Sequence, residues 1–204
     1  MRYDPFLTAE RSGNIITSVI VKGRIMSKKP TTTRQDMIDA AFQLIREEGF
    51  ESLTARNLAG RLGCSTQPIM YQFPNLNELK DLTYRKADDF HTEFIFKDND
   101  LLKIGLRYIS FADEEKDLFR FLFQSGHFDG SSLGELLKAP DTKRLISKTA
   151  EELNIPDKKA LKCFETLFVM VHGYASLIAN NAMKYNEKEI KKTLVTTVRE
   201  MMER

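Results

Sequence analysis

Between Arg61 and Phe73 the chain reads RLGCSTQPIMYQF. Its side chains carry one kind of chemistry. On a helix opened by Ser65, Ile69 and Phe73 turn inward, and Thr66, Gln67, Met70, Tyr71 and Gln72 are left outside. Glutamine can bond adenine in a bidentate way, and the hydroxyls of threonine and tyrosine reach phosphates. Pro68 falls at the third helical position, where a missing N–H is tolerated because first-turn donors have no intrahelical acceptor. That leaves the Gln67 N–H as the expected partner of the capping Ser65. Other chemistries find no support. The two cysteines, Cys64 and Cys163, lack scaffold spacing, and the three histidines, His91, His127 and His172, lack metal-ligand spacing. No nucleophile–base pair stands out, so neither enzyme, metal site nor cofactor is expected.

Positioning that face requires a particular set of elements. Met37, Ala40, Ala41, Leu44 and Ile45 recur with helical period, Thr33 and Asp36 form a capping pair, and Gly49 supplies a stop. Thr54 then caps a second helix with Leu58, Ala59 and Leu62 on its apolar side, and Gly63 ends it. Ser65 starts the third. Two short helices joined by a short turn carrying glycine are a helix-turn-helix unit.

From about Thr33 to Leu79 the chain resembles the DNA-binding domain of the TetR family of bacterial transcriptional regulators. The residues that carry the resemblance are Thr54, Arg56, Leu58 and Ala59, then Gly63 and Ser65 on either side of Cys64, then Phe73 closing a stretch in which Met70, Tyr71 and Gln72 stand at the family's Tyr-x-His positions, and finally Leu79. The departures are Gln67 and Pro68 where the family has small residues, Met70 for tyrosine, Gln72 for histidine and Leu76 for lysine. By position, Tyr71 is the candidate to replace the missing tyrosine, and Lys80, one turn later, the missing lysine. The resemblance implies DNA contacts from Arg34, Thr54, Arg56, Ser65, Thr66, Gln67, Tyr71, Gln72 and Lys80. It also lays a basic arm of Lys28, Lys29 and Arg34 beside the DNA backbone. The net charge of +2 gives no global basic field, so any DNA site must be local.

At 204 residues, 42% hydrophobic and 29% charged, the chain has the profile of a soluble protein with an ordinary core. Its first segment has no amphipathic period, and its apolar run IITSVIV is too short for a membrane span. Residues 1–25 are expected to be a disordered leader of little function, unless translation begins at Met26. The expected fold is all-α: a helix-turn-helix domain over 26–79 and a helical ligand-binding and dimerisation domain over 80–204. Asn75 and Glu78 resemble a cap pair for a long fourth helix, and HFDGSSLGE reads as a loop.

Phenylalanine is dense in the second half. Most of it fills a core; Phe121, Phe168 and His172 are the candidates to line a cavity for a mostly apolar ligand. A helix opened by Pro156 is apolar on two faces, with Leu161, Phe164, Phe168, Val171, Ala175 and Ile178 on one and Leu167, Met170, Tyr174 and Leu177 on the other. Gly173 is costly in its middle unless close packing needs it. In the family, the last two helices pack against their copies. The resemblance thus implies a homodimer interface of Phe164, Val171, Ala175, Ile178, Leu194 and Val198.

The expectation is therefore a cytoplasmic, homodimeric repressor released from a palindromic operator by a small ligand, with no membrane partner. The rival is a helical ligand-binding protein of the same fold that no longer binds DNA, supported by Met70, Gln72 and Leu76.

Overall fold

Thr33 opens the first helix with a reciprocal capping box. Its N–H donates to the Asp36 carboxylate at 2.8 Å, and the Asp36 N–H donates to its hydroxyl at 3.1 Å. Those bonds satisfy two donors at the helix start, and the Thr33 N–H, joined by the Thr33 hydroxyl donating to the same oxygen, holds the Asp36 carboxyl below its usual range. From this cap runs α1 (Arg34–Glu48), which buries Met37, Ala41, Phe42, Leu44 and Ile45. In this computed structural model, residues 32–98, 100–126, 138 and 140–203 are described. The expected leader over 1–25, Lys28, Lys29, His127 and the loop segment HFDGSSLGE lie outside them.

A short 3-10 turn (Phe50–Ser52) leads to α2 (Ala55–Leu62) and α3 (Thr66–Gln72). The long α4 (Leu76–Ile95) follows, then α5 (Leu101–Glu114) and α6 (Lys116–Gln124). The remaining helices are α7 (Pro140–Leu153), α8 (Asp157–Ala179) and α9 (Glu187–Glu203). Every regular element among the described residues is helical, and the fold is all-α.

One cluster of buried side chains runs from Met37 on α1 through Leu79 on α4, Phe111 on α5 and Phe119 on α6 to Leu194 on α9. Thr32–Arg204 forms one compact unit around it. Helices α5 and α8 make the broadest helix pair. Gly105 on α5 permits their approach, since a Cβ there would meet Val171 Cγ2 at 3.2 Å. A second, smaller cluster of Ile146, Ala150 and Ala160 joins α7 to the first half of α8.

Helix α1 is tied to the helices behind it as well as packed on them. The Lys86 ammonium on α4 donates to Asp39 at 2.7 Å, which lowers the Asp39 carboxyl, and the Arg46 Nε on α1 donates to Glu115 at 2.7 Å. At the far side, Arg120 on α6 donates to the Ala179 carbonyl at 3.0 Å, capping the C-terminal end of α8.

Two glycines separate backbone need from convenience. Gly49 has φ 82° and ψ 163°, a region nearly closed to other residues, and a Cβ there would stand 3.3 Å from Asp117 Oδ1. Gly60 lies inside α2, and a Cβ there would have open space. Gly49→Ala should cost about 1–3 kcal/mol in urea unfolding. Gly60→Ala should instead stabilise by about 0.5–1 kcal/mol. Equal effects at the two positions would contradict this assignment.

Candidate nucleic-acid interface and aromatic centre

Helix α3 is too short to hold itself. Its seven residues bury Ile69, followed by Phe73 at the C-cap, both at 0% exposure. Isolated helices of this length are unstable in water. The turn before it is fixed by Gly63 in the left-handed region, φ 62°, and by the Cys64 N–H donating to the Ala59 carbonyl at 3.0 Å. Thr54 caps α2 as expected, accepting from the Asn57 N–H at 3.1 Å. Its hydroxyl proton is not used by that bond.

Ser65 occupies the N-cap of α3, but its side chain makes no capping bond. The expected bond from the Gln67 N–H does not form. Pro68 sits at the third helical position and has no N–H, which removes the other usual donor to such a cap. The Ser65 hydroxyl is left uncommitted to the helix. The Asn75–Glu78 pair is also corrected. Asn75 caps α4 through the Asn77 N–H at 2.9 Å, and Glu78 turns elsewhere.

Glu78 pairs with Arg34. The Arg34 guanidinium also donates to the Gln72 carbonyl at 2.9 Å and lies over the Phe73 ring at 4.2 Å. One side chain thus ties the start of α1 to the end of α3 and the start of α4. Sequence reading placed Arg34 in a basic arm along DNA. The structure spends its charge on Glu78 and on an otherwise open helix-end carbonyl.

With both ends of α3 held, its outer face is exposed. Thr66, Gln67, Met70 and Tyr71 are exposed, Tyr71 at 84%, and Gln72 is half-buried. Thr54, Arg56 and Ser65 are exposed beside them in the chain, and Lys80 is half-buried on the second turn of α4.

The expected ligand residues separate into two groups. Phe121 is 2% exposed and packs with Phe50 at 6.4 Å and Tyr84 at 5.7 Å. It belongs to the packing behind α1, apart from the other two candidates. Phe168 and His172 stack at 6.1 Å along one side of α8. The Tyr108 hydroxyl on α5 lies 2.9 Å from His172 Nδ1. Tyr108, Phe119 and Phe123 complete the surroundings of His172 at 6.0, 5.7 and 5.5 Å. Burial lowers the His172 imidazole and raises the Tyr108 phenol, so both stay neutral at pH 7.

His91 on α4 is a residue that sequence reading did not single out for this centre. It is 6% exposed and ringed by Tyr108, Phe111 and Phe123 at 5.1, 4.8 and 5.5 Å. Among the described residues, its Nε2 is the one buried side-chain nitrogen or oxygen without a hydrogen-bond partner.

The expected dimer residues need correction as well. Val171, Ala175, Ile178 and Leu194 are 7%, 0%, 0% and 2% exposed inside this chain. They face α5 and the main core, so they have no surface to offer a second copy. Phe164 packs against the smaller cluster beside α7, and Val198 is half-buried. The open sector of α8 holds Val169 at 60% and Leu177 at 49% exposure, with Gly173 exposed between them. A Cβ at Gly173 would touch nothing among the described residues.

Burial pushes the His91 imidazole from 6.5 down to about 4. The unfolded chain therefore takes up its proton first. The stability contributed by neutral His91 is full above pH 6.5 and is lost as the pH falls toward 4. His172, lowered by the same cause, acts in the same direction. In an NMR titration the His91 ring protons should move with a midpoint near 4. A midpoint near the free value would mean that the ring is in water.

Among solved structures, the fold is similar to the crystal structure of a tetR-family transcriptional regulator from Streptomyces coelicolor. The two share 16% identity and superpose with a TM-score of 0.54 over 83% of this chain and 82% of that one. No protein-family model matches the sequence, and no curated protein matches it. At this identity the likeness is one of architecture: the chain has the all-α, helix-turn-helix-bearing fold of that regulator.

Proposed function

We propose that the protein is a homodimeric, cytoplasmic DNA-binding regulator of transcription, a repressor that a small, mostly apolar effector releases from a palindromic operator. The observation that carries this reading is the outer face of α3. A seven-residue helix pinned at both ends exposes Gln67 and Tyr71, the latter at 84%. Folding gains little from a tyrosine held that far into solvent, whereas a major groove accepts a helix of this size. The structural likeness to a transcriptional regulator supports the same reading.

In the complex, Gln67 reads a base edge and Tyr71, Gln72 and Thr66 extend the contact along the groove. Thr54 and Ser65 offer hydroxyls to phosphates, and Arg56 and Lys80 supply charge. Arg34 acts differently, as the positioning residue that sets α3 against α4.

The second copy docks on the exposed sector of α8. Val169 and Leu177 give it apolar area, and Gly173 lets a facing helix come close, which accounts for a mid-helix glycine that nothing among the described residues requires. By length and composition α8 would also cross a bilayer. Its opposite side, however, is built into the core through Val171, Ala175 and Ile178. A protein partner for the remaining sector fits that division better than lipid. The effector binds at Phe168 and His172, where polar groups meet an aromatic wall.

Selection of bound fragments from a random DNA pool tests the reading. Enrichment of a two-fold symmetric sequence supports it. No enrichment at low salt would favour the rival, a helical ligand-binding protein that has lost DNA binding. Gln67→Ala should weaken binding to the selected site by about 1–3 kcal/mol, or relax its preference at one base, with little change in melting temperature. Arg34→Gln and Glu78→Gln should weaken binding alike and leave the salt dependence unchanged. If Arg34 instead grips a phosphate, Glu78→Gln would strengthen binding and Arg34→Gln would flatten the salt slope.

For the dimer, Val169→Arg and Leu177→Arg should give folded monomers in sedimentation, with operator affinity lost for want of the second grip. Ala175→Arg should unfold the protein, because that side chain has no route to solvent. A monomeric wild type that still binds a palindrome tightly would end the dimer proposal.

A further inference from the structure

His91 presents a polar atom to a wall that has nothing to offer it. A neutral imidazole carries one N–H and one bare nitrogen. In one tautomer Nε2 is a donor without an acceptor; in the other it is an acceptor without a donor. Its neighbours Tyr108 and Phe111 are 7% and 0% exposed and are fixed in the core. Native proteins leave few buried polar groups unpaired, and each that remains invites a reason.

Phe123 supplies one. Its ring lies 5.5 Å from His91, 5.7 Å from Tyr108, 4.8 Å from Phe119 and 5.5 Å from His172. A single phenyl group thus fills a slot whose walls carry two imidazoles and a phenol, and a phenyl can hydrogen-bond to none of them. Of the three rings around His91, Phe123 is the half-buried one. It stands on the last turn of α6, just before the chain leaves the helix at Ser125 and Gly126. It is thus the ring a ligand would displace while Tyr108 and Phe111 stay in the core.

We propose that the slot filled by the Phe123 ring is a ligand seat, in which a neutral hydroxylated aromatic compound displaces Phe123 and hydrogen-bonds through its hydroxyl to His91 Nε2. The walls select an aromatic body, because His91 already meets the rings about it edge to face, and a replacement ring keeps those contacts. Burial selects a neutral one, since an unpaired charge would be desolvated there without compensation. A hydroxyl both donates and accepts, so it suits either tautomer of His91. The proposal rests on the effector part of the function above and gives that effector a chemical class; it does not rest on DNA binding.

Phenol and toluene make the test, being alike in shape and differing in hydroxyl against methyl. Calorimetry on the full chain carrying Phe123→Ala should show phenol binding about tenfold tighter than toluene. That preference should vanish when His91→Phe is added. In the wild type phenol binds more weakly, because Phe123 must leave, but its binding should shift the His91 Nε2 nitrogen resonance, and toluene should not. Helical circular dichroism checks that each variant folds; if Phe123→Ala does not, Phe123→Leu opens the slot more gently and the wild-type resonance still decides. Toluene binding as tightly as phenol would overturn the proposal. So would a phenol preference that survives His91→Phe, or an Nε2 resonance unmoved by phenol. None of these measurements uses DNA, so a failed operator selection and a failed ligand seat are told apart.

Discussion

Arg34 is where α1, α3 and α4 are joined. Helix α3 has no N-terminal side-chain cap, a proline in its first turn and one fully buried residue within its span. Left alone it would unravel, because so short a helix cannot offset its own nucleation. Its C-terminal end is held by a guanidinium that takes the Gln72 carbonyl, covers the Phe73 ring and pairs with Glu78. An exposed ion pair alone contributes little. Here the pair is one of three contacts made by a planar group with fixed donors, so geometry matters more than charge. Whatever the outer face of α3 meets, its direction is set by this joint and by Ile69 and Phe73 beneath.

The other half of the protein is organised by α8, which must hide apolar surface on more than one side. It gives Val171, Ala175 and Ile178 to the main core and Ala160 to the cluster beside α7. It gives Phe168 and His172 to the aromatic centre, leaving the Val169–Leu177 sector open. Gly105 on α5 sets how close the first of these contacts can be.

Local signals in the sequence were legible because local physics decides them. The Thr33–Asp36 box, the Thr54 cap, the turn at Gly63 and the inward pair Ile69 and Phe73 all follow from spacing within a few residues. What was missed depends on residues far apart in the chain. Arg34 read as a free cation because its partners Gln72 and Glu78 arrive only when α3 and α4 fold back. Periodicity marked α8 as apolar on two faces but not which face its own chain would cover. Val171, Ala175 and Ile178 were therefore assigned to a partner, while Val169 was passed over. His91 drew notice only for lacking metal-ligand spacing, because Tyr108, Phe111 and Phe123 come from α5 and α6.

Helix α4 connects the two halves. Glu78 stands in its first turn against Arg34, and His91 lies near its other end against the aromatic rings. At 1.5 Å per residue these points are about 20 Å apart along one continuous helix. Lys86 joins that same helix to Asp39 on α1 between them. A change in the packing around His91 cannot be absorbed by bending at a glycine or proline, since the helix contains neither. It must move α4 as a body or be resisted by the whole of it. An occupant of the aromatic centre shifts α3 only if it binds one position of α4 better than another. Exchange of the Phe123 ring for a hydrogen-bonding one would provide such a difference, because it changes both the volume and the polar satisfaction at the point where α4 meets the core.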